Sequence, residues 1–278
     1  MYKSILVHVD NSQQCLHRVE VAALLAIQYE AHLVGSATTG LSAFAFPVGG
    51  LEPGTPTVVF PVEELRAAAN RDLDKFDAAA SSAGVNLFER RLLDDEAGLG
   101  IALQARYCDL IVISQYSRDS FARRIRSDFP EYVVLNSVRP VLILPYNSAG
   151  MLNLDVITVA WNGGGEAVRA ITAALPILKR AKRVHVAVFD AESSVVEHGE
   201  EPGADIALYL SRHGVKVDVT ATQSAGEPGE SLVSFAVEKG SDLIVMGAYG
   251  HSRFHEFFLG GVSQTMLASS PLALLMTH

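Results

Sequence analysis

The chain has 278 residues, 49% of them apolar and 19% charged, a composition that excludes wholesale disorder and suits two domains of about 140 residues, each able to bury its own core. The formal charge of −9 is shared almost evenly, with 13 basic against 17 acidic residues over 1–147 and 9 against 14 over 148–278, so neither half is expected to bind nucleic acid through net charge. Two cysteines, Cys15 and Cys108, are too few for a disulfide scaffold, and no uncharged apolar stretch reaches membrane-spanning length, so the expected setting is the cytoplasm with no membrane partner.

In chain order, residues 5–9 read as an apolar strand ending at Asp10, with Ser12 as N-cap of a helix running through Val19, Ala22, Ala23 and Ala26 to about Ala31. A strand over 32–37 follows. From 39 to 61, Pro47, Pro53, Pro56 and Pro61 bar regular structure, and Phe44, Phe46 and Phe60 offer a lid for an apolar ligand or a protein partner. Helix resumes at Val62 and closes at Gly84; a strand over 85–92, a helix over 96–107, a strand over 110–114, a helix near 131–136 and a strand over 141–144 complete the first pass. A second pass begins after residue 150. It has strands at 156–160, 183–189, 215–221, 243–246 and 272–276, and helices at 166–178, 205–213, 229–239 and from about Gly261 to Ala268.

The passes repeat one another. Asp109-Leu-Ile-Val-Ile-Ser answers Asp242-Leu-Ile-Val-Met-Gly, Arg139-Pro-Val-Leu answers Ser270-Pro-Leu-Ala, and Asp10 answers Asn162 at the end of each first strand. Strands alternating with helices require right-handed crossovers and parallel sheets covered on both faces. The fold class is therefore α/β, with two doubly wound five-stranded parallel-sheet domains in tandem, 1–147 and 148–278. The last strand of each domain is apolar enough to be buried where the two domains pack about a pseudo-twofold axis.

Chemistry concentrates after the strand at 243–246. Gly247, Gly250, Gly260 and Gly261 make the spacing G-x2-G-x9-G-G between an apolar strand and a helix. Glycines there permit positive φ and let a ligand approach bare backbone, and a helix start at Gly261 aims unpaired N–H groups at an anion. The pattern predicts a phosphate cradle at the carboxyl end of a parallel strand. Asp128 in the first half would repel phosphate from the matching position. No G-x-S-x-G elbow and no G-x-x-x-x-G-K-[ST] loop occur, and His251 and His255 lack the second-turn glutamate of a metalloprotease helix, so neither acyl transfer nor a metal site is expected.

On these residues the chain resembles the universal stress protein family in its tandem form, adenine nucleotide alpha hydrolase-like or Rossmann-like in fold. The resemblance implies that Asn162, where nucleotide-binding members carry aspartate, meets adenosine, and that Gly247, Gly250, Gly260 and Gly261 hold phosphates. Gly163, His251, Ser252, Arg253, Val262 and Ser263 complete the implied cofactor-binding set. Gly261 stands where a serine or threonine hydroxyl is usual, and losing that hydrogen bond costs on the order of 1 kcal/mol. The implied ligand is ATP in the second half only, with Mg as its possible companion. The implied role is a stress-response protein that is non-enzymatic or at most a slow ATPase, acting as a compact monomer or homodimer. The alternative is a scaffold that binds through residues 39–61 without nucleotide.

Overall fold

A computed structural model of the chain describes residues 1–41, 61–116, 127–148, 150–191, 201–250 and 261–278. Its first half contains β1 (Ser4–His8), α1 (Cys15–Tyr29), β2 (His32–Thr38), α2 (Val62–Ala83), β3 (Phe88–Leu93), α3 (Ala97–Ala105), β4 (Leu110–Ser114), α4 (Phe129–Asn136) and β5 (Val141–Leu144). The second half contains β6 (Val156–Ala160), α5 (Gly165–Leu178), β7 (Arg183–Phe189), α6 (Ala204–Arg212), β8 (Val217–Thr222), α7 (Pro228–Glu238), β9 (Leu243–Gly247), α8 (Gly261–Ser269) and β10 (Ala273–Thr277). The stretch 42–60, where an aromatic lid is expected, lies outside the described residues. No helix among the described residues is long and apolar enough to cross a membrane.

Local chemistry sets the element ends. At the end of α2, Gly84 takes φ +85°, and the N–H groups of Gly84 and Val85 bond back to Ser81 and Ala80. This engages Val85, so β3 opens at Phe88 and not at residue 85. The same closure at Gly214, with Val215 N–H on Leu210 O, delays β8 to Val217. The expected Ser12 cap is not made. Ser12 directs both its N–H and its hydroxyl to Asp10 Oδ1, and α1 starts at Cys15. The repeated aspartates have matching tasks: Asp109 accepts the N–H groups of Lys3 and Ser4, and Asp242 those of Asp155 and Val156. Each carboxylate thereby ties the entry of its half's first strand to the next strand over.

The sheet order is β3-β2-β1-β4-β5-β10-β9-β6-β7-β8. Within each half every neighbouring pair is parallel, and the halves meet through one antiparallel pair, with Val141 opposite Met276, Leu142 opposite Leu275 and Ile143 opposite Leu274. The two expected five-stranded sheets are thus fused into one of ten strands. Side chains alternate between two cores that run through both halves. Ile5, Val7, Leu243 and Val245 point to the face covered by α1, α2, α5 and α6, while Leu6 and Ile244 point to the face covered by α3, α4, α7 and α8.

Polar contacts also cross the junction. Tyr2 donates its hydroxyl to Ala173 O at 2.8 Å, and Gln115 donates to Ser270 O at 3.0 Å while accepting the Tyr146 N–H at 3.0 Å. Leu275 is fully buried at the junction, so Leu275→Ala should lower stability by about 2–5 kcal/mol, read as a fall in the urea midpoint at unchanged m-value.

Candidate functional site

In an open parallel sheet, ligands bind beyond the carboxyl ends of the strands where chain connections diverge. In the second half that point lies between β6 and β9: β6 leads to β7 and β8 on one side, β9 to β10 on the other. A cavity of about 280 Å³ opens there. Its apolar wall includes Trp161, Phe189, Leu232, Met246 and Val262, and Asn162, Glu166, Tyr249, Gly247, Gly250, Gly261 and Ser263 also border it.

Of the residues singled out from the sequence, Asn162, Gly247, Gly250, Gly261, Val262 and Ser263 border this cavity. Gly163 does not line it; with φ +75° it turns the chain from β6 toward α5. His251, Ser252, Arg253, His255 and Gly260 lie outside the described residues. Asn162 Oδ1 accepts the Gly164 N–H at 3.0 Å, which leaves its amide nitrogen as the available donor. The buried Ser263 hydroxyl accepts the Tyr249 N–H at 3.1 Å and so fixes the loop exit to α8.

Close packing accounts for two of the glycines. Neither Gly247 nor Gly250 takes positive φ; among the described residues of this loop the left-handed one is Tyr249, at φ 52°. A Cβ on Gly247 would stand 2.6 Å from the Glu166 backbone carbon and 2.7 Å from the Ala167 nitrogen, so glycine is what lets the first turn of α5 press against β9. A Cβ on Gly250 would stand 3.1 Å from Glu166 Oε2, whereas one on Gly261 would meet nothing within 4 Å.

Glu166 was not singled out from the sequence, because it lies in no motif. Its Oε1 accepts from Arg169 at 2.9 Å and its Oε2 faces the glycine loop. Burial alone would raise this carboxyl, but its own backbone N–H, Arg169 and His278 hold it below the usual value, so it is charged at neutral pH. Trp161 and Phe189, also missed, carry a signal that could have found them: each is an aromatic at the carboxyl end of a parallel strand.

At the matching strand exit of the first half, described side chains engage one another. Arg18, 2% exposed, donates Nε to His8 O at 2.6 Å, Nη1 to Ser114 Oγ at 3.0 Å and Nη2 to Asp10 Oδ1 at 2.8 Å. Asp10 Oδ1 also accepts from the Ser12 N–H at 3.1 Å and hydroxyl at 2.6 Å. The aspartate that matches the family's adenosine contact is therefore engaged by its own chain. Burial pushes the Asp10 carboxyl up, but Arg18, His8 and Ser12 outweigh it and hold it well below the carboxylate range. Asp128, expected to repel phosphate here, immediately precedes α4. The sequence did contain a sign of Arg18, a cation on the apolar face of α1 eight residues after Asp10; the residue eight after Asn162 is Ala170.

The profile described as "Universal stress protein family" matches residues 1–145 and again 154–278. Among solved structures, a universal stress protein from Archaeoglobus fulgidus DSM 4304 superposes with a TM-score of 0.71 at 16% identity, covering 99% of this chain and 97% of that one. A functionally unknown protein from Pseudomonas aeruginosa PAO1 does so with a TM-score of 0.63 at 17% identity, covering 99% and 92%. Both likenesses concern the fold. Comparison with curated proteins finds no match.

Removing the guanidinium leaves a buried carboxylate unpaired, so Arg18→Met should cost about 3–5 kcal/mol in chemical denaturation. His8 is buried against Phe129, ring centroids 4.8 Å apart, and burial is the main cause that lowers its pKa from 6.5 to about 4. A histidine held neutral when folded but protonated when unfolded contributes stability that is whole above pH 6.5 and lost as pH falls toward about 4. The loss should be on the order of 3 kcal/mol, read from denaturation midpoints between pH 7 and pH 4, and His8→Gln should flatten that part of the profile.

Proposed function

Because the chain belongs to the universal stress protein family, we propose that its second half binds an adenine nucleotide in the cavity between β6 and β9. The observation that supports this most is the coincidence of the cavity with both motif ends: Asn162 at the exit of β6 and Gly247, Gly250 and Gly261 around the exit of β9 all border it. The adenine ring would lie among Trp161, Phe189, Leu232 and Met246, an apolar and aromatic wall suited to a flat heterocycle. Asn162 Nδ2 would donate to the ligand. The first turn of α8, starting at Gly261, would turn its unpaired N–H groups toward a phosphate.

The proposed stoichiometry is one site per chain, since in the first half Arg18 already engages Asp10 and Ser114 at the corresponding strand exits. The proposed role is non-enzymatic, or at most slow ATP hydrolysis, in a stress response in the cytoplasm; Cys15 and Cys108 are both free thiols, as a reducing compartment would keep them. Mg²⁺ would enter with the phosphates of the nucleotide. Among the described residues no group of three or more His, Cys, Asp or Glu is placed to hold a metal alone.

Titration calorimetry of the full chain with ATP tests the proposal. The expected result is one site, abolished by Gly250→Val, because a branched side chain there would crowd Glu166 Oε2, 3.1 Å from the Cβ position, and enter the cavity. Gly261→Ser, in open space, should tighten ATP by at most about tenfold if the new hydroxyl reaches phosphate. Two equivalent sites, or a site that survives Gly250→Val, would contradict the proposal.

A further inference from the structure

Resting on the reading of the cavity as an adenine-nucleotide site, we infer that Glu166 sets its ligand by charge, favouring the uncharged nucleoside and disfavouring the triphosphate. The inference starts from an anion standing where the glycine spacing predicts a phosphate. Glu166 Oε2 lies 3.1 Å from the Cβ position of Gly250 and 3.3 Å from that of Gly164, between the two loops that flank the cavity. Its side chain is only 17% exposed, so water screens it weakly.

The carboxylate is tethered on one side. Its other oxygen is held by Arg169 at 2.9 Å, and Arg169 in turn donates to His278 O at 3.1 Å, outside the cavity lining. The cation therefore compensates Oε1 from behind and leaves Oε2 toward the ligand. An ionised carboxylate only accepts hydrogen bonds. It repels phosphate oxygens at close range but receives ribose hydroxyls, which donate; an acidic side chain meets ribose hydroxyls in the same way in other dinucleotide-binding α/β folds. The same charge that weakens a triphosphate thus orients a nucleoside.

The test is calorimetric titration of the full chain and of Glu166→Gln with adenosine, 2′,3′-dideoxyadenosine and ATP, in EDTA and in Mg²⁺. The expected wild-type result in EDTA is adenosine binding at least as tightly as ATP, with dideoxyadenosine weaker by about tenfold through loss of charge-assisted hydrogen bonds. In Glu166→Gln, ATP should tighten by about tenfold or more, and the gap between adenosine and its dideoxy form should shrink. The inference is overturned if wild type binds ATP more than about tenfold tighter than adenosine in EDTA, a ranking that decides the matter even where the variant does not fold. It is also overturned if Glu166→Gln shifts ATP and adenosine alike, or if Mg²⁺ tightens ATP only when Glu166 is present, since the carboxylate then acts through a cation. Binding of none of the three ligands defeats the nucleotide reading itself, and this inference with it.

Discussion

The pairing of β5 with β10 is the constraint on which the rest of the molecule depends. Both strands are fully buried, and an open apolar edge with unpaired N–H and C=O groups invites association with any other strand. Pairing the two edges removes both and leaves β3 and β8 as the outer strands of one sheet. These carry Glu89, Arg90 and Arg91, and Asp218, Thr220 and Thr222, on partly exposed backbone, the composition of edges that resist further pairing. Because the junction is antiparallel, the carboxyl ends of the strands in one half point opposite to those in the other. The two places where a ligand could bind lie at opposite ends of the sheet, and each half had to resolve its own.

They resolved it differently. In the first half a guanidinium from α1 occupies the crevice and links β1, β4 and the loop after β1 through His8, Ser114 and Asp10. A buried ion pair contributes little net stability against a well-packed apolar alternative, but removing one partner of it is costly. In the second half the position of that arginine is Ala170 and the position of Ser114 is Gly247. Two shortened side chains leave space, and the first turn of α5 moves in against Gly247, bringing Glu166 to the rim.

The glycine loop illustrates how one residue type can have several physical causes within a few positions. Gly247 is small because a helix backbone passes beside it, Gly250 because a carboxylate does, and Gly261 faces open space. Among the described residues of the loop, the left-handed backbone belongs to Tyr249, whose N–H is held by Ser263. Tyr249 also joins the halves electrostatically: burial and then the carboxylate of Glu131, from α4 of the first half, push its phenol upward.

Much of this was legible in the order of residues. Apolar runs such as Leu243 to Met246, bounded by Asp242 and Gly247, read as strands covered on both faces, and their recurrence gave the two-part α/β plan because hydrophobic period and turn chemistry are local properties. The exits of β6 and β9 were located for the same reason, since glycine spacing is read along the chain. What tertiary structure alone decided is which side chains meet at those exits. Arg18 and Asp10 are close in sequence, but only the fold buries them together beside Ser114, 96 residues from Arg18. Likewise Glu166 and Gly250 become neighbours only because β6 and β9 lie side by side. Electrostatics depends on distance through space and on the water excluded between groups, and neither is written in the spacing of a motif.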